Sequence, residues 1–327
     1  MKILITGATG FIGNSLAHQL ADAGHEIHAL VHNKANALLV QHKNIRVFFG
    51  DITNVEQVKA AIHGCEQVYH TAAQVKPWQE NPSIFYEVNV EGTLNVFEQA
   101  LQGGIRKIVF TSTCGVLGPT SGEPLKEASP PITDHSMHYD RSKKMAEDIV
   151  LSYSKKGLSS LIVSPSKVFG PGNTSHSLTA NAIISTFLKK RIIFIPAPGI
   201  YKLCFAYVDD VVKGHVLAME NGKSGEKYIL GGQNITYYDF FDRIRILANR
   251  RAHIFRASKL MTKCAAYMQE VRHAVTGAPV LFSVKSVGYA FNNYTFSSEK
   301  AIQQLGYTIT SLDESLIKTI QFLKKTN

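Results

Sequence analysis

Cysteine is scarce in this 327-residue chain. Cys65, Cys114, Cys204 and Cys264 stand far apart with no C-x-x-C pair, which argues against a disulfide framework or a zinc site and fits reduced, buried thiols in a cytoplasmic protein. Long apolar runs are missing too. No stretch approaches the roughly 18 residues a membrane span needs, because candidates such as Ile192 to Ile195 stop at Pro196 and Pro198. The first apolar run, Ile3-Leu4-Ile5, breaks at once into Thr6-Gly7-Ala8-Thr9-Gly10, so no signal peptide can be drawn and the chain is expected to begin with a strand. Acidic residues are outnumbered, 25 against 35 Lys and Arg, giving a formal charge of +10. The basic residues are scattered rather than blocked into a nucleic-acid arm, so no nucleic-acid partner is expected. Low-complexity linkers and solenoid repeats are absent as well.

With 45% hydrophobic and 18% charged positions, the chain can bury a sizeable core. Apolar strand-like runs at Lys2 to Thr6, Glu26 to Val31, Ile45 to Phe49, Gln67 to His70, Lys107 to Ser112 and Ser160 to Pro165 alternate with helical patterns. Those patterns cover Asn14 to Ala23, Val55 to Ile62, Ile84 to Gln102 and Tyr139 to Lys156. Strands that are apolar throughout and alternate with helices predict an α/β fold, a doubly wound parallel sheet of Rossmann type buried on both faces. After Pro165 loops rich in Gly, Pro, Ser and Asn signal a smaller substrate-binding lobe. Phe205 to Val208, the helical Asp209 to Glu220 and the apolar Lys227 to Leu230 look like a return to the sheet. The expected division is residues 1–165 and 204–233 for the dinucleotide-binding domain, and 166–203 and 234–327 for the interleaved lobe.

Gly7-Ala8-Thr9-Gly10-Phe11-Ile12-Gly13 lies directly between the first strand and the first helix. There, glycines permit a tight turn and a close approach of backbone to pyrophosphate oxygens at the positive end of a helix. The second strand delivers His32, Asn33 and Lys34 where an acidic residue would hold the ribose hydroxyl of NAD. Donors and positive charge at His32 and Lys34 suit a 2′-phosphate, so NADP is the expected cofactor, with NAD as the alternative. Asp51 and Ile52, at the end of the third strand, are placed to cap the adenine.

Tyr139-Asp140-Arg141-Ser142-Lys143 sets a tyrosine and a lysine four apart, on one face of a helix. An ammonium beside a phenol favours phenolate and draws its pKa toward the working range of a proton donor or acceptor. A hydroxyl cluster, Thr111-Ser112-Thr113, closes an intervening strand at the end where doubly wound sheets bind ligands.

These pieces, with Asp51-Ile52-Thr53, His70-Thr71-Ala72-Ala73, Asn89-Val90-Glu91-Gly92-Thr93, Gly170-Pro171-Gly172 and Tyr207-Val208-Asp209-Asp210, make the chain resemble the extended short-chain dehydrogenase/reductase family from end to end. The resemblance implies that Tyr139 is the catalytic acid/base and that Lys143 binds the nicotinamide ribose and tunes Tyr139. Thr113 would hold the substrate oxygen in place of the commoner serine, with the same donor and acceptor capacity. Gly7, Thr9, Gly10, Phe11, Ile12, Gly13, Thr71, Ala72, Ala73, Thr111, Pro165 and Val168 would line the cofactor, with Asn89 a structural residue near the nicotinamide. The helices at Ile84 to Gln102 and Tyr139 to Lys156 resemble those that pair in family homodimers.

Branches of the family that act on nucleotide sugars usually carry an arginine shortly before the Tyr207-Val208-Asp209-Asp210 motif, where this chain has Leu203-Cys204-Phe205-Ala206. An asparagine common after Pro165 is also replaced, within Ser166-Lys167-Val168, although Lys167 would serve another anion. The phrase Thr295 to Tyr307 resembles the dihydroflavonol reductase and 3β-hydroxysteroid dehydrogenase-like branches. The expected reaction is therefore NADPH-dependent reduction of a carbonyl on a mostly apolar small molecule. The rivals are a nucleotide-sugar epimerase or dehydratase, and a dinucleotide-binding sensor without turnover. No metal site is expected at His25, His28 and His32. Met261, Cys264, Tyr267, Met268 and Val271 recur at helical spacing and are expected to pack as a lid-lobe helix. The alternatives for that segment are a cover for an apolar substrate or a helix on an anionic membrane surface.

Overall fold

A computed structural model describes the chain except for residues 76–78, 131–136, 173–179, 250, 279, 281 and 327. The apolar runs form strands β1 (Lys2–Thr6), β2 (Glu26–Val31), β3 (Ile45–Phe49), β4 (Gln67–His70), β5 (Lys107–Thr111) and β6 (Ser160–Pro165). With β10 (Lys227–Leu230) they make one sheet in the order β10-β6-β5-β4-β1-β2-β3, every pair parallel. Alternate side chains of each strand feed two cores. Ile3 and Ile5 point to one face with Leu16 of α1 (Phe11–Asp22) and Val211 of α7 (Val208–Asn221). Leu4 and Phe110 point to the other with Val58 of α2 (Val55–Ile62), Val96 of α4 (Gly92–Gln102) and Ala146 of α5 (His138–Lys155). Burial on both faces is why these strands read as continuous hydrophobic runs. The strand order reverses beside β1, which opens a crevice at the carboxyl ends of β1 and β4.

Several boundaries differ from the sequence expectation. α1 begins at Phe11 rather than Asn14, because Gly10 already adopts the extended conformation of an N-cap. The single helix expected over Ile84 to Gln102 is broken into α3 (Ser83–Tyr86), a π-helical turn over Glu87–Glu91, and α4. Such turns insert a residue into the ladder and often mark functional positions, and this one carries Asn89.

The stretch Phe205 to Val208 does not return to the main sheet. Phe205 to Tyr207 end β9 (Lys202–Tyr207), which pairs with β7 (Lys167–Phe169) and β11 (Gln233–Thr236) in a separate three-stranded sheet, and Val208 opens α7. β7 follows β6 after only Ser166 and leads the chain off the main sheet, so β9 finds its partner there. α7 and β10 are the parts that rejoin the parallel sheet.

β8 (Ile192–Pro196) pairs with β12 (His253–Ala257), beside α6 (Ala180–Lys190) and α8 (Tyr237–Leu247). α9 (Lys259–Thr276) packs on α10 (Val284–Ala290), while α11 (Glu299–Leu305) lies on α7 and α12 (Leu312–Thr326) on α8. The expectation that the apolar stripe of α9 is core is overturned. Ala266 is its one buried residue, and Met261, Cys264, Tyr267, Met268 and Val271 are exposed. Helical spacing identifies an amphipathic helix but not which face meets the protein.

Candidate active site

The glycines after β1 have distinct duties. Gly7 adopts φ +71, and a Cβ on it would fall 2.6 Å from the backbone nitrogen of Ala72. A Cβ on Gly13 would fall 2.2 Å from the Gly7 carbonyl oxygen, so this glycine lets α1 close on the turn. At Gly10 a Cβ would meet only the Gly7 oxygen, at 3.2 Å, and the residue borders an open cleft. α1 carries no side-chain cap and no acidic residue in its first turn. Its amino end is therefore left to an external anion.

The cleft has a volume of about 750 Å³, within the range of ligand pockets. Gly7, Thr9, Gly10, Phe11, Ile12 and Gly13 line one end, with His32, Asp51 and Ile52. Thr71, Ala72, Ala73, Thr111, Thr113, Tyr139, Lys143, Pro165 and Val168 continue the wall. An extended channel running from an uncapped helix end to a Tyr/Lys pair fits a dinucleotide. Lys34 is not among the lining residues: its ammonium stands 5.6 Å from the centre of the Phe49 ring. His32 Nδ1 lies 2.9 Å from Asp51 Oδ2, while Asp51 Oδ1 accepts from both the amide and the hydroxyl of Thr53. Asn89 also stands back from the cleft. It donates to Ser142 Oγ at 2.8 Å and accepts from the Gln74 amide at 2.7 Å, tying the loop after β4 to α5.

Tertiary partners separate the three hydroxyls after β5. Thr111 is hydrogen-bonded to His215 Nε2 at 2.9 Å, and that ring, hydrogen-bonded to the Val211 carbonyl and pushed down to about 4 by burial, is neutral. Ser112 donates to Glu147 at 2.6 Å, and Glu147 pairs with Lys227 at 2.7 Å. Thr113 alone of the three bears on the Tyr139 phenol, opposing its upward shift, and both side chains line the cleft. The Thr113 oxygen accepts from the Gly115 amide at 3.1 Å, which fixes the side chain.

Burial raises the Tyr139 phenol above its ordinary value; Asp140 raises it further, and the Thr113 hydrogen bond opposes both. Lys143 is not among these influences. Its ammonium lies over the Phe110 ring at 4.0 Å, and burial lowers it to about 7 against the opposing pull of Glu147. Desolvation is thus the largest influence on the Tyr139 phenol.

Asp140 escaped sequence reasoning. Its carboxyl packs against Gly115, and burial pushes it up to about 7. The folded protein holds that proton to about pH 7, whereas an unfolded chain releases it near pH 3.9. Stability should therefore fall as pH rises between those values, because the folded state binds more protons there. Thermal melts across that interval should show a flatter profile for Asp140→Asn, with the variant gaining most near neutrality.

Beside Thr113 a second cavity of about 170 Å³ is lined by Ser166, Lys167, Leu203, Cys204, Tyr289, Tyr294 and Phe296, among others. Lys167 borders both cavities, and burial lowers its pKa. The aromatic residues arrive from α10 and the segment after it, far along the chain, and no local pattern announced them. Of the two histidines just before Tyr139, His138 is hydrogen-bonded to Tyr86 at 3.0 Å, while His135 lies outside the described residues.

Residues 3–231 match the family model described as the NAD dependent epimerase/dehydratase family. The chain belongs to that family. It is an NAD(P)-dependent oxidoreductase of the extended short-chain dehydrogenase/reductase type. Among its family relatives, sterol demethylase protein B of Methylococcus capsulatus is 30% identical over 241 residues, covering 72% of this chain and 71% of that one. The mouse sterol-4-alpha-carboxylate 3-dehydrogenase, decarboxylating, is 26% identical over 340 residues, covering 98% and 90%. Family membership also extends to the fold. UDP-glucose 4-epimerase of Thermotoga maritima, solved with UDP-glucose, superposes with a TM-score of 0.83 at 23% identity, covering 100% of this chain and 99% of that one.

Proposed function

We propose that the protein reduces a ketone or aldehyde on a mostly apolar small molecule at the expense of NADPH, with Tyr139 as proton donor. The observation that carries this reading is the cavity beside Thr113, where Leu203, Cys204, Tyr289, Tyr294 and Phe296 form the wall together with Ser166 and Lys167. Leu203 and Cys204 stand where a diphosphate-binding arginine would be expected, and no arginine lines either cavity among the described residues. The relatives named for sterol substrates are consistent with an apolar ligand.

When bound, the nicotinamide supplies the hydride. Thr113 and Tyr139 both address the substrate oxygen: Thr113 donates a hydrogen bond to the charge that develops there, and Tyr139 delivers the proton that completes the alcohol. A phenol held above its ordinary pKa remains protonated at neutral pH, which suits the reductive direction. Burial lowers Lys143 to about 7, and cofactor oxygens held beside it would favour its charged form. Preference for NADPH rests on His32, which borders the cleft, and on Asp51, whose oxygens already have partners.

The test is NADPH consumption with steroid and flavonoid ketones set beside UDP-glucose, together with titration of NADPH against NADH. Turnover with apolar ketones and at least about 10-fold tighter NADPH, a gap of about 1.4 kcal/mol, are expected. His32→Ala should narrow that gap. Epimerisation of UDP-glucose would overturn the substrate reading, and equal affinities would overturn the cofactor reading.

A further inference from the structure

α9 exposes the side chains that its spacing would reserve for a core. Leu260 is 72% exposed, Met268 70% and Val275 80%, with Met261, Cys264, Tyr267 and Val271 exposed between them. These positions follow i, i+1, i+4, i+7, i+8, i+11 and i+15, which is one continuous apolar face on an 18-residue helix about 27 Å long. The strand leading into it, β12, and its partner β8 add a stacked aromatic pair in the open, Phe255 and Phe194 (67% exposed), with ring centres 5.6 Å apart. Ser258 caps the helix by accepting from the Met261 amide, so the face begins on a fixed element.

Charge chooses the occupant. Residues 251–276 carry Arg251, Arg256, Lys259, Lys263 and Arg272 against one carboxylate, Glu270, and that carboxylate accepts from the Val284 amide. A basic rim around an apolar helical face matches an interfacial helix on anionic lipid. A self-complementary dimer on the same face would set its cations against cations. No helix among the described residues is long and apolar enough to cross a membrane, so this helix would lie in the surface plane. The opposite side of α9 meets α10 through Ala266, Val287 and Phe291, and α10 supplies Tyr289 to the cavity beside Thr113. We propose that α9 seats the protein on an anionic lipid surface, with its Leu, Met, Tyr and Val side chains among the acyl chains and its lysines at the headgroups.

The test uses the full chain and vesicles of phosphatidylcholine, with or without a large fraction of phosphatidylglycerol. Cosedimentation is expected with the anionic vesicles, at least about 10-fold stronger than with phosphatidylcholine alone and weakened by salt. A Leu260→Ser/Met268→Ser variant and a Lys259→Glu/Lys263→Glu variant should each lose about 10-fold, with unchanged melting temperature and NADPH affinity. A fluorophore on the exposed Cys264 should shift to the blue with anionic vesicles. Equal retention on both vesicle types, or variants that bind like the parent, would overturn the proposal. So would a lipid-independent dimer in sedimentation velocity that the Leu260→Ser/Met268→Ser variant abolishes, since a second copy would then own the face.

Discussion

Tyr139→Phe is expected to lower kcat by about 10²- to 10⁴-fold, the usual contribution of a positioned acid/base, with little change in cofactor affinity or melting temperature. The prediction is sharp because phenylalanine keeps the ring and removes only the hydroxyl, on a residue that lines the cleft with Thr113. Thr113→Ala should cost about 10²- to 10³-fold, the typical effect of losing one oxyanion donor. Thr111→Val should cost far less, because that hydroxyl is committed to His215. Steady-state and single-turnover rates with the best substrate, beside NADPH titration, separate these effects. A Tyr139→Phe enzyme that keeps full turnover would remove Tyr139 from the mechanism.

The second large effect belongs to the glycine turn, where Gly13→Ala and Gly10→Ala should fail differently. At Gly13 the new Cβ would sit 2.2 Å from the Gly7 oxygen and 2.6 Å from Thr71 Oγ1. The first clash is with backbone, so no rotamer relieves it. Destabilisation of at least about 1–3 kcal/mol is expected, as for overpacked cores, together with loss of dinucleotide binding. At Gly10 the only close atom is 3.2 Å away, so the melting temperature should hardly move. Dinucleotide affinity should still drop by about 10-fold or more, because the methyl group would enter the space that a pyrophosphate needs. Calorimetric melting and isothermal titration on both variants check this. Equal loss of stability at the two positions would refute the division of duties.

The strands of the main sheet were readable because each is buried on both faces, which leaves an uninterrupted apolar run, and the glycine turn because its chemistry is local. Tyr139 and Lys143 were readable for the same reason, being four apart on one helix. What sequence could not supply was the environment. Only His215 and Glu147, distant along the chain, divert Thr111 and Ser112 and leave Thr113 with Tyr139. Burial of the whole site, rather than the neighbouring lysine, sets the direction of the Tyr139 shift, and burial is a tertiary quantity. Lys34 was read as a phosphate partner from its place after β2, yet its side chain turns to Phe49. The face of α9 was legible as a pattern and misjudged as core, since a stripe does not say what covers it.

The last strand of the sheet carries a consequence for how the protein folds. β10 completes the ladder beside β6, but the chain reaches Lys227 only after building β7, β8, β9 and α7. Until then β6 is an edge with unpaired amides and carbonyls, open to wrong partners. A chain cut after Pro165 would leave that edge bare, so residues 1–165 do not complete the parallel sheet by themselves. Closing a long loop before β10 can pair makes the topology slow to assemble and hard to dismantle in parts. The chain between Ser166 and Glu226, which carries β7, β8, β9 and α7, must thus be laid down before the parallel sheet is whole.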